Sequence, residues 1–413
     1  MTVQLLPIVN CDRLYQSLMD LAEIGKLSET GVCRLAFSPE DIKARQLVWR
    51  WMAAAGLSVR SDAAGNIIGT LPGKQAAPAL ATGSHIDTVP KAGKYDGTLG
   101  VLAGIEVART LKENGLQLQH PFEVIVFTDE EDSMIGSKAI AGTASLDANQ
   151  YARKDKPTIQ ARLQQVGGDW QQLATARRTR QDICAFVELH VEQGQVLETS
   201  GVSIGVVEGV VGLQRHVITI KGAPNHAGTT PMELRQDALV AASHIVLAVE
   251  SLAKTRPGQQ VATVGSLSVW PNATNVIAGE VQASLDVRDL SKAEITGLVD
   301  DLKAQLTQIA AITRTEITIA PVLDVNPTPA APVIQQTITQ VCDRLGFSHR
   351  SLPSRAGHDA QAMGRFTDMG MIFVPSEGGI SHSEIEYTSP EHCAQGATVL
   401  LQTLLELDQH YSD

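Results

Sequence analysis

Residues 82–100 read Thr82-Gly-Ser-His85-Ile-Asp87-Thr-Val-Pro-Lys-Ala-Gly93-Lys-Tyr-Asp96-Gly97-Thr-Leu-Gly100. They set His85, Asp87 and Asp96 between a short apolar run, Pro78 to Ala81, and a helix-like run, Leu99 to Leu111. In open α/β sheets ligands bind at the C-terminal ends of strands, so a strand that runs straight into imidazole and carboxylate marks a candidate site. Asp96 stands between Tyr95 and Gly97, where a tight turn aims its side chain back toward His85. Imidazole with carboxylate suits Zn²⁺, and also Mn²⁺, Co²⁺ or Ni²⁺. Asp87 is too near His85 to be an independent ligand, and is placed to accept the other ring N–H and fix the tautomer that supports catalysis.

The same design recurs three times. Phe122 to Thr128 leads to Asp129, Glu130 and Glu131; Ile183 to Leu189 leads to His190; Met371 to Pro375 leads to His382. Short apolar runs separated by helix-like stretches predict an α/β fold, a largely parallel, mixed sheet flanked by helices on both faces. Glu130 and Glu131 are neighbours at a strand end. In extended backbone they point opposite ways, so one can bind a metal while the other faces a water; the competing reading is an acidic turn. His190-Val-Glu-Gln193-Gly sets an amide near a further imidazole, and Gln193 is placed to donate to a substrate oxygen. Taken alone, His190 reads equally as a structural histidine, and Glu188 as a supporting or surface acid.

Elsewhere the pattern is architectural. Residues 12–25 set Leu14, Leu18, Leu21 and Ile24 on one helical face. Ser38-Pro39-Glu40-Asp41 reads as a helix start with a capping box, and Gly56 as its stop. Leu57 to Arg60 and Asn66 to Leu71 read as a hairpin around Ala64-Gly65. Residues 150–182, rich in Gln and Arg, read as helix plus surface loop. From about residue 210 the order becomes strand 214–221, helix 237–254, strands 261–270 and 280–287, helix 291–312 and strand 315–320. This is the ferredoxin-like β-α-β-β-α-β arrangement. The predicted domains are thus 1–209 and 324–413 together, with 210–323 inserted.

The inserted stretch carries its own candidates: His226 in a Gly/Pro-rich loop, Asn275, and Arg288, which suits two-point recognition of a carboxylate unless Asp286 or Asp289 claims it as a plain salt bridge. His226 would stabilise an oxyanion if the domains close. His358, in Ala-Gly-His-Asp, is a polar contact without an assigned partner.

The chain has 413 residues and a net charge of −12, which argues against a nucleic-acid surface and makes two domains the default. The N-terminus, Met-Thr-Val-Gln-Leu-Leu-Pro, has no leader pattern, and no run offers the ~18 uninterrupted apolar residues of a membrane span. Five scattered cysteines with no C-x-x-C pair indicate neither a disulfide framework nor a thiolate zinc site. A reducing cytoplasm is the expected location, with no nucleic-acid or membrane partner.

Together, His85-x-Asp87, Gly93-x-x-Asp96-Gly, Glu130-Glu131, Glu188-Leu-His190-x-Glu-Gln193-Gly, Asn225-His226-Ala-Gly-Thr-Thr-Pro-Met, Ala356-Gly-His358-Asp and Gly379-Ile-Ser-His382-Ser resemble the hydantoinase/carbamoylase-type amidases of the M20 metallohydrolase clan. The resemblance implies a di-metal exopeptidase-like catalytic domain and an inserted lid that also dimerises. It implies that Asp96 bridges two divalent ions, with His85 and His190 on one and Glu131 and His382 on the other, and that Glu130 is the general base. His226, from the other subunit of a homodimer, would stabilise the oxyanion. Gln193, Asn275, Arg288 and His358 would hold the substrate, Arg288 by its carboxylate. The implied reaction is hydrolysis of the ureido group of an N-carbamoyl-L-amino acid to ammonia, carbon dioxide and amino acid. Allantoate and N-carbamoyl-β-alanine are the alternative substrates, and a peptidase or an inactive scaffold the remote readings. Two departures stand out: the loop after Glu131 is shortened to Asp132-Ser-Met-Ile before Gly136-Ser-Lys, and Arg355 replaces the usual Gly before Ala-Gly-His-Asp.

Overall fold

The structure, a computed structural model, describes residues 6–27 and 30–412; the first five residues of the N-terminal stretch lie outside the described residues. Asn10 accepts from the Arg13 N–H and starts α1 (Cys11–Ala22), whose Leu14, Leu18 and Leu21 are buried, with Ile24 just past its end. Ser38 caps α2 (Pro39–Ala55) by accepting from the Asp41 N–H, and Gly56 ends it at φ 99°. The expected capping box is modified: Asp41 returns to the N–H of Phe37, one residue before the cap.

The hairpin β1 (Ser58–Ser61) and β2 (Ile67–Leu71) follows, then β3 (Ala79–His85), α3 (Thr98–Glu113), β4 (Phe122–Phe127), α4 (Ile135–Ile140), α5 (Ile159–Gln165), β5 (Ile183–Val191), α6 (Val196–Ser200) and β6 (Ile204–Val210). The inserted stretch forms β7 (Gly212–Lys221), α7 (Ala238–Thr255), β8 (Val261–Trp270), β9 (Glu280–Asp289), α8 (Lys292–Thr313) and β10 (Glu316–Val325). The chain returns through β11 (Thr328–Pro329), α9 (Pro332–Leu345), β12 (His349–Ser354), α10 (Asp359–Met363), β13 (Asp368–Val374) and α11 (Pro390–His410).

Two compact units result: residues up to Val210 with those from Pro329 on, and Val211–Thr328. The first holds a nine-stranded mixed sheet in the order β1-β2-β4-β3-β5-β13-β6-β11, with β12 beside β6. Its central strands β4, β3, β5 and β13 are parallel, so their C-terminal ends share one edge. They are buried on both faces, as near-continuous apolar runs require. One face packs on α1, α2, α3, α9 and α11, and the other on α4, α6 and α10.

Residues 150–182 are more than surface loop. Tyr151, Ile159, Leu163, Leu173 and Ala176 turn inward from α5 and two 3₁₀ turns to form a satellite core with Phe37, Ile135 and Ala139.

The second unit is an antiparallel sheet, β10-β7-β9-β8, with α7 and α8 packed on it through Ala241, Ile245, Ile295, Leu298 and Leu302. By length and composition alone α7 is long and apolar enough to cross a membrane; Ala238, Ala241, Ala242, Ile245 and Val249 instead form the stripe that covers this sheet.

Candidate active site

The parallel register sets the ligand-bearing ends level. His85 is the last residue of β3 and lies beside Phe127 at the end of β4; His190, inside β5, lies beside Phe373 of β13. The backbone then bends into sparsely populated conformations. Asp129, Gln193 and His382 all adopt positive φ, at 59°, 60° and 52°. Such strain is tolerated where surrounding contacts over-determine it, as at ligand sites.

Asp96 is the centre of the cluster. Its Oδ1 lies 3.2 Å from His190 Nε2 and 3.7 Å from His85 Nε2; its Oδ2 lies 3.4 Å from His382 Nε2. Glu131 Oε2 is 3.7 Å from His382 Nε2, and Glu130 Oε2 is 3.6 Å from His85 Nε2. Two groups able to hold a metal therefore share Asp96: His85, Asp96 and His190, and Asp96, Glu131 and His382. Gly97, at φ 67°, fits between the imidazoles; a Cβ there would lie 2.4 Å from the His85 ring, and its N–H points at His190 Nε2 from 3.1 Å.

The tautomers follow from the carbonyls. His85 Nδ1 donates to Asp87 O and His190 Nδ1 to Val191 O, each at 2.9 Å, because a carbonyl can only accept. This leaves Nε2 lone pairs aimed at a carboxylate oxygen, an arrangement that calls for a cation between them. Glu131 Oε1 and Gln193 Oε1 are buried without a hydrogen-bond partner, which is a second sign of an electropositive occupant. Imidazole and carboxylate donors with no thiolate fit divalent ions of the Zn²⁺, Mn²⁺, Co²⁺ or Ni²⁺ type.

Asp87 does not use its carboxylate to accept the ring N–H of His85, contrary to what its spacing from that residue predicts. Its carboxylate stands 3.9 Å from His85 Nδ1 and instead accepts the backbone N–H groups of Glu130 (3.4 Å) and Glu131 (3.2 Å). Asp87 thus orients His85 through its main chain and the two glutamates through its side chain.

Charge and burial oppose each other throughout. Burial pushes the Glu130 carboxyl well above the usual carboxylate range, against the pull of His85. Burial alone would lower His85, but Glu130, Asp87, Glu131 and Asp96 hold it well above its ordinary value. The hydrogen bond to Asp96 lifts His382 to about 9. Asp96 is buried too, yet His190 and His382 hold it well below the carboxylate range.

His358 lies under this cluster, 2% exposed, with Nε2 2.8 Å from Ser354 Oγ and its ring edge-on to His190 at 4.6 Å. Burial, with the neighbouring His190, keeps it far below the usual histidine value, so it is a neutral imidazole. Gln193 donates Nε2 to Asp96 Oδ2 at 2.9 Å. Glu188 is fully buried, accepting from Ser84 Oγ and the Ala360 N–H, so it is no surface acid.

The remaining candidates lie in the second unit. His226 is exposed, and its Nδ1 accepts the N–H groups of Gly228 and Thr229, which puts the proton on Nε2. A backbone bridge ties His226 to Val276, next to the exposed Asn275. Arg288 pairs with Asp286 through Nε at 2.7 Å and Nη2 at 3.3 Å, so the salt bridge weighed above is formed, and Asp286 also takes Arg215.

One residue of the site, Glu386, carries no sequence signal of its own. Glu386 accepts the backbone N–H groups of Tyr95 (3.2 Å) and Asp96 (3.0 Å), and Ser381 Oγ lies between Glu386 Oε2 and Asp96 Oδ2. Gly93 leaves room for it: a Cβ there would lie 2.4 Å from Glu386 Cβ.

Residues 81–406 match the peptidase family M20/M25/M40. The chain belongs to this family. Within M20 it aligns over 409 residues, 97% of its length and 100% of the other chain, with N-carbamoyl-L-amino acid amidohydrolase of Geobacillus stearothermophilus at 41% identity. Allantoate amidohydrolase of Bacillus subtilis is 36% identical over 94% of this chain and 95% of that one. The crystal structure of a hydantoinase/carbamoylase family amidase from Burkholderia multivorans superposes with a TM-score of 0.89 at 36% identity, covering 97% and 98% of the two chains. Within M20 the chain is therefore a hydantoinase/carbamoylase-type amidase, a hydrolase of C–N bonds other than peptide bonds.

Proposed function

We propose that the chain hydrolyses the ureido C–N bond of N-carbamoyl-L-amino acids, releasing the amino acid, ammonia and carbon dioxide. The observation that carries this reading is Asp96, whose two oxygens each face a separate set of imidazole and carboxylate ligands, with Glu130 alongside. Two divalent ions, Zn²⁺ or else Mn²⁺, Co²⁺ or Ni²⁺, held by His85, Asp96 and His190 and by Asp96, Glu131 and His382, would supply Lewis-acid activation of a water and of the ureido carbonyl.

Glu130 takes the proton of the attacking water and passes it to the departing nitrogen. Its buried setting favours holding that proton between the two steps. Asp87 fixes the backbone from which Glu130 and Glu131 project. His226, presenting Nε2–H, donates to the developing oxyanion across a homodimer interface formed by the inserted lid. Arg288 receives the substrate carboxylate, and Gln193, Asn275 and His358 position the ureido group. Five free cysteines support a cytoplasmic setting.

Allantoate is the second reading, favoured by the 36% identical relative that bears that activity in its name. Ammonia release from N-carbamoyl-L-amino acids, N-carbamoyl-β-alanine and allantoate, with dipeptides assayed alongside, decides among them. Preference for an N-carbamoyl-L-amino acid is expected; turnover of allantoate or a dipeptide alone overturns the assignment.

A further inference from the structure

Helix α2 presents Ile42, Arg45 and Trp49 along one stripe, at spacings of three and four residues, and Arg50 joins the same cavity lining from the neighbouring face. Opposite them stand Ile67 of β2 and Val166 just after α5, and the space between is a cavity of about 450 Å³. That volume is in the range of small-molecule sites. No carboxylate lines it.

The two guanidiniums are the unusual feature. Arg45 is 6% exposed, and among the described residues its one hydrogen bond runs from Nη2 to the carbonyl of Gly65. Among the described residues no carboxylate lies within 4 Å of it or of Arg50, although Asp41, one turn earlier on α2, acts on Arg45 at longer range. The guanidinium nitrogens that Gly65 does not engage leave donors for an anion that enters the cavity. Trp49, 36% exposed, gives the same cavity an aromatic wall, completed by Ile42, Ile67 and Val166.

From this we infer that the cavity is a second small-molecule site, for an organic carboxylate that carries a flat apolar group. The carboxylate pairs with Arg45 and Arg50, a planar fork being well matched to two oxygens. The apolar body lies against Trp49 and the aliphatic wall. The cavity lies in the first unit between α2, the β1–β2 hairpin and α5, and none of its lining residues belongs to the Asp96 cluster. It therefore takes a ligand independently of hydrolysis at that cluster.

The test is calorimetric titration of the metal-loaded full chain with phenylacetate and indole-3-acetate, with phenylacetamide as the neutral control. Saturable binding of the two acids is expected, at least tenfold tighter than the amide. Arg45→Met, Arg50→Gln and Trp49→Ser should each weaken it tenfold or more while leaving hydrolysis unchanged. Arg50 and Trp49 are exposed, so those variants keep the test valid if Arg45→Met does not fold. Absence of saturation, equal binding of the amide, or binding unaffected by Arg50→Gln and Trp49→Ser would overturn the assignment; the last result would place the acid in another site.

Discussion

His85 donates its Nδ1 proton to the main-chain carbonyl of Asp87, not to the Asp87 carboxylate, which has turned to the backbone of Glu130 and Glu131. Substitution at this position should therefore spare His85 and disturb the glutamates. Asp87→Ala is expected to keep the metal held by His85 and to lose about 10–100-fold in kcat. Asp87→Asn, with one carbonyl oxygen left to accept, should lose less. Metal content per subunit and kcat, measured on the same preparations, check this. Loss of metal in proportion to activity would mean that Asp87 acts on His85 after all.

Glu386 makes a comparable prediction from the other side of the cluster. It holds the N–H groups of Tyr95 and Asp96, so its removal frees the loop that aims Asp96. Glu386→Ala should weaken divalent-ion affinity about 10–100-fold, and Glu386→Gln, which keeps an accepting oxygen, distinctly less. Competition titration against a metal chelator reads the affinity directly. Equal affinity in Glu386→Ala and the parent would reduce Glu386 to a packing residue.

Arg288 is tested by substrate binding rather than turnover. Arg288→Ala should raise KM steeply for carboxylate-bearing ureido substrates with a smaller effect on kcat, since the carboxylate it would hold does not change in the reaction. An unchanged KM would leave Arg288 with its Asp286 salt bridge as its whole role.

Asp41 predicts a pH dependence of stability from a group outside the metal-ligand set. Burial raises its carboxyl from an ordinary 3.8 to about 6, with Arg45 offsetting part of the effect. A carboxyl with a raised native value favours folding fully below the unfolded value, and that contribution is lost as pH rises through about 6. At about 1.4 kcal/mol per pH unit, the full loss reached by pH 7 is ~3 kcal/mol. Asp41→Asn keeps an acceptor for the Phe37 N–H but has no charge to desolvate. Melting curves from pH 4.5 to 8 should show the variant gaining on the parent as pH rises. A constant difference would contradict the burial argument.

The parts of the fold and site that were legible are those where pattern and chemistry coincide. The apolar runs before His85, Glu130, His190 and His382 mark the central strands because parallel strands buried on both faces must be continuously apolar. Ser38, Pro39 and Gly56 mark α2 because caps have few chemical solutions. Asp87 was misread because spacing cannot distinguish a bond to its carbonyl from one to its carboxylate. Glu386 was invisible because it acts through backbone N–H groups 290 residues away, and one acid in Ile-Glu-Tyr-Thr has no period. The core of residues 148–176 was hidden by its composition: 3₁₀ turns bury Tyr151 and Leu173 without the helical spacing that would announce them.

The proposed catalysis turns on Glu130 as the base beside a metal pair that Asp96 would hold together. The most direct measurement compares ammonia release by the parent and Glu130→Gln on the preferred ureido substrate, with metal content determined on both. About two divalent ions per subunit are expected in each, with nearly the same KM and a kcat lowered about 10²–10⁴-fold in the variant. Turnover within tenfold of the parent at full metal content would contradict this role for Glu130.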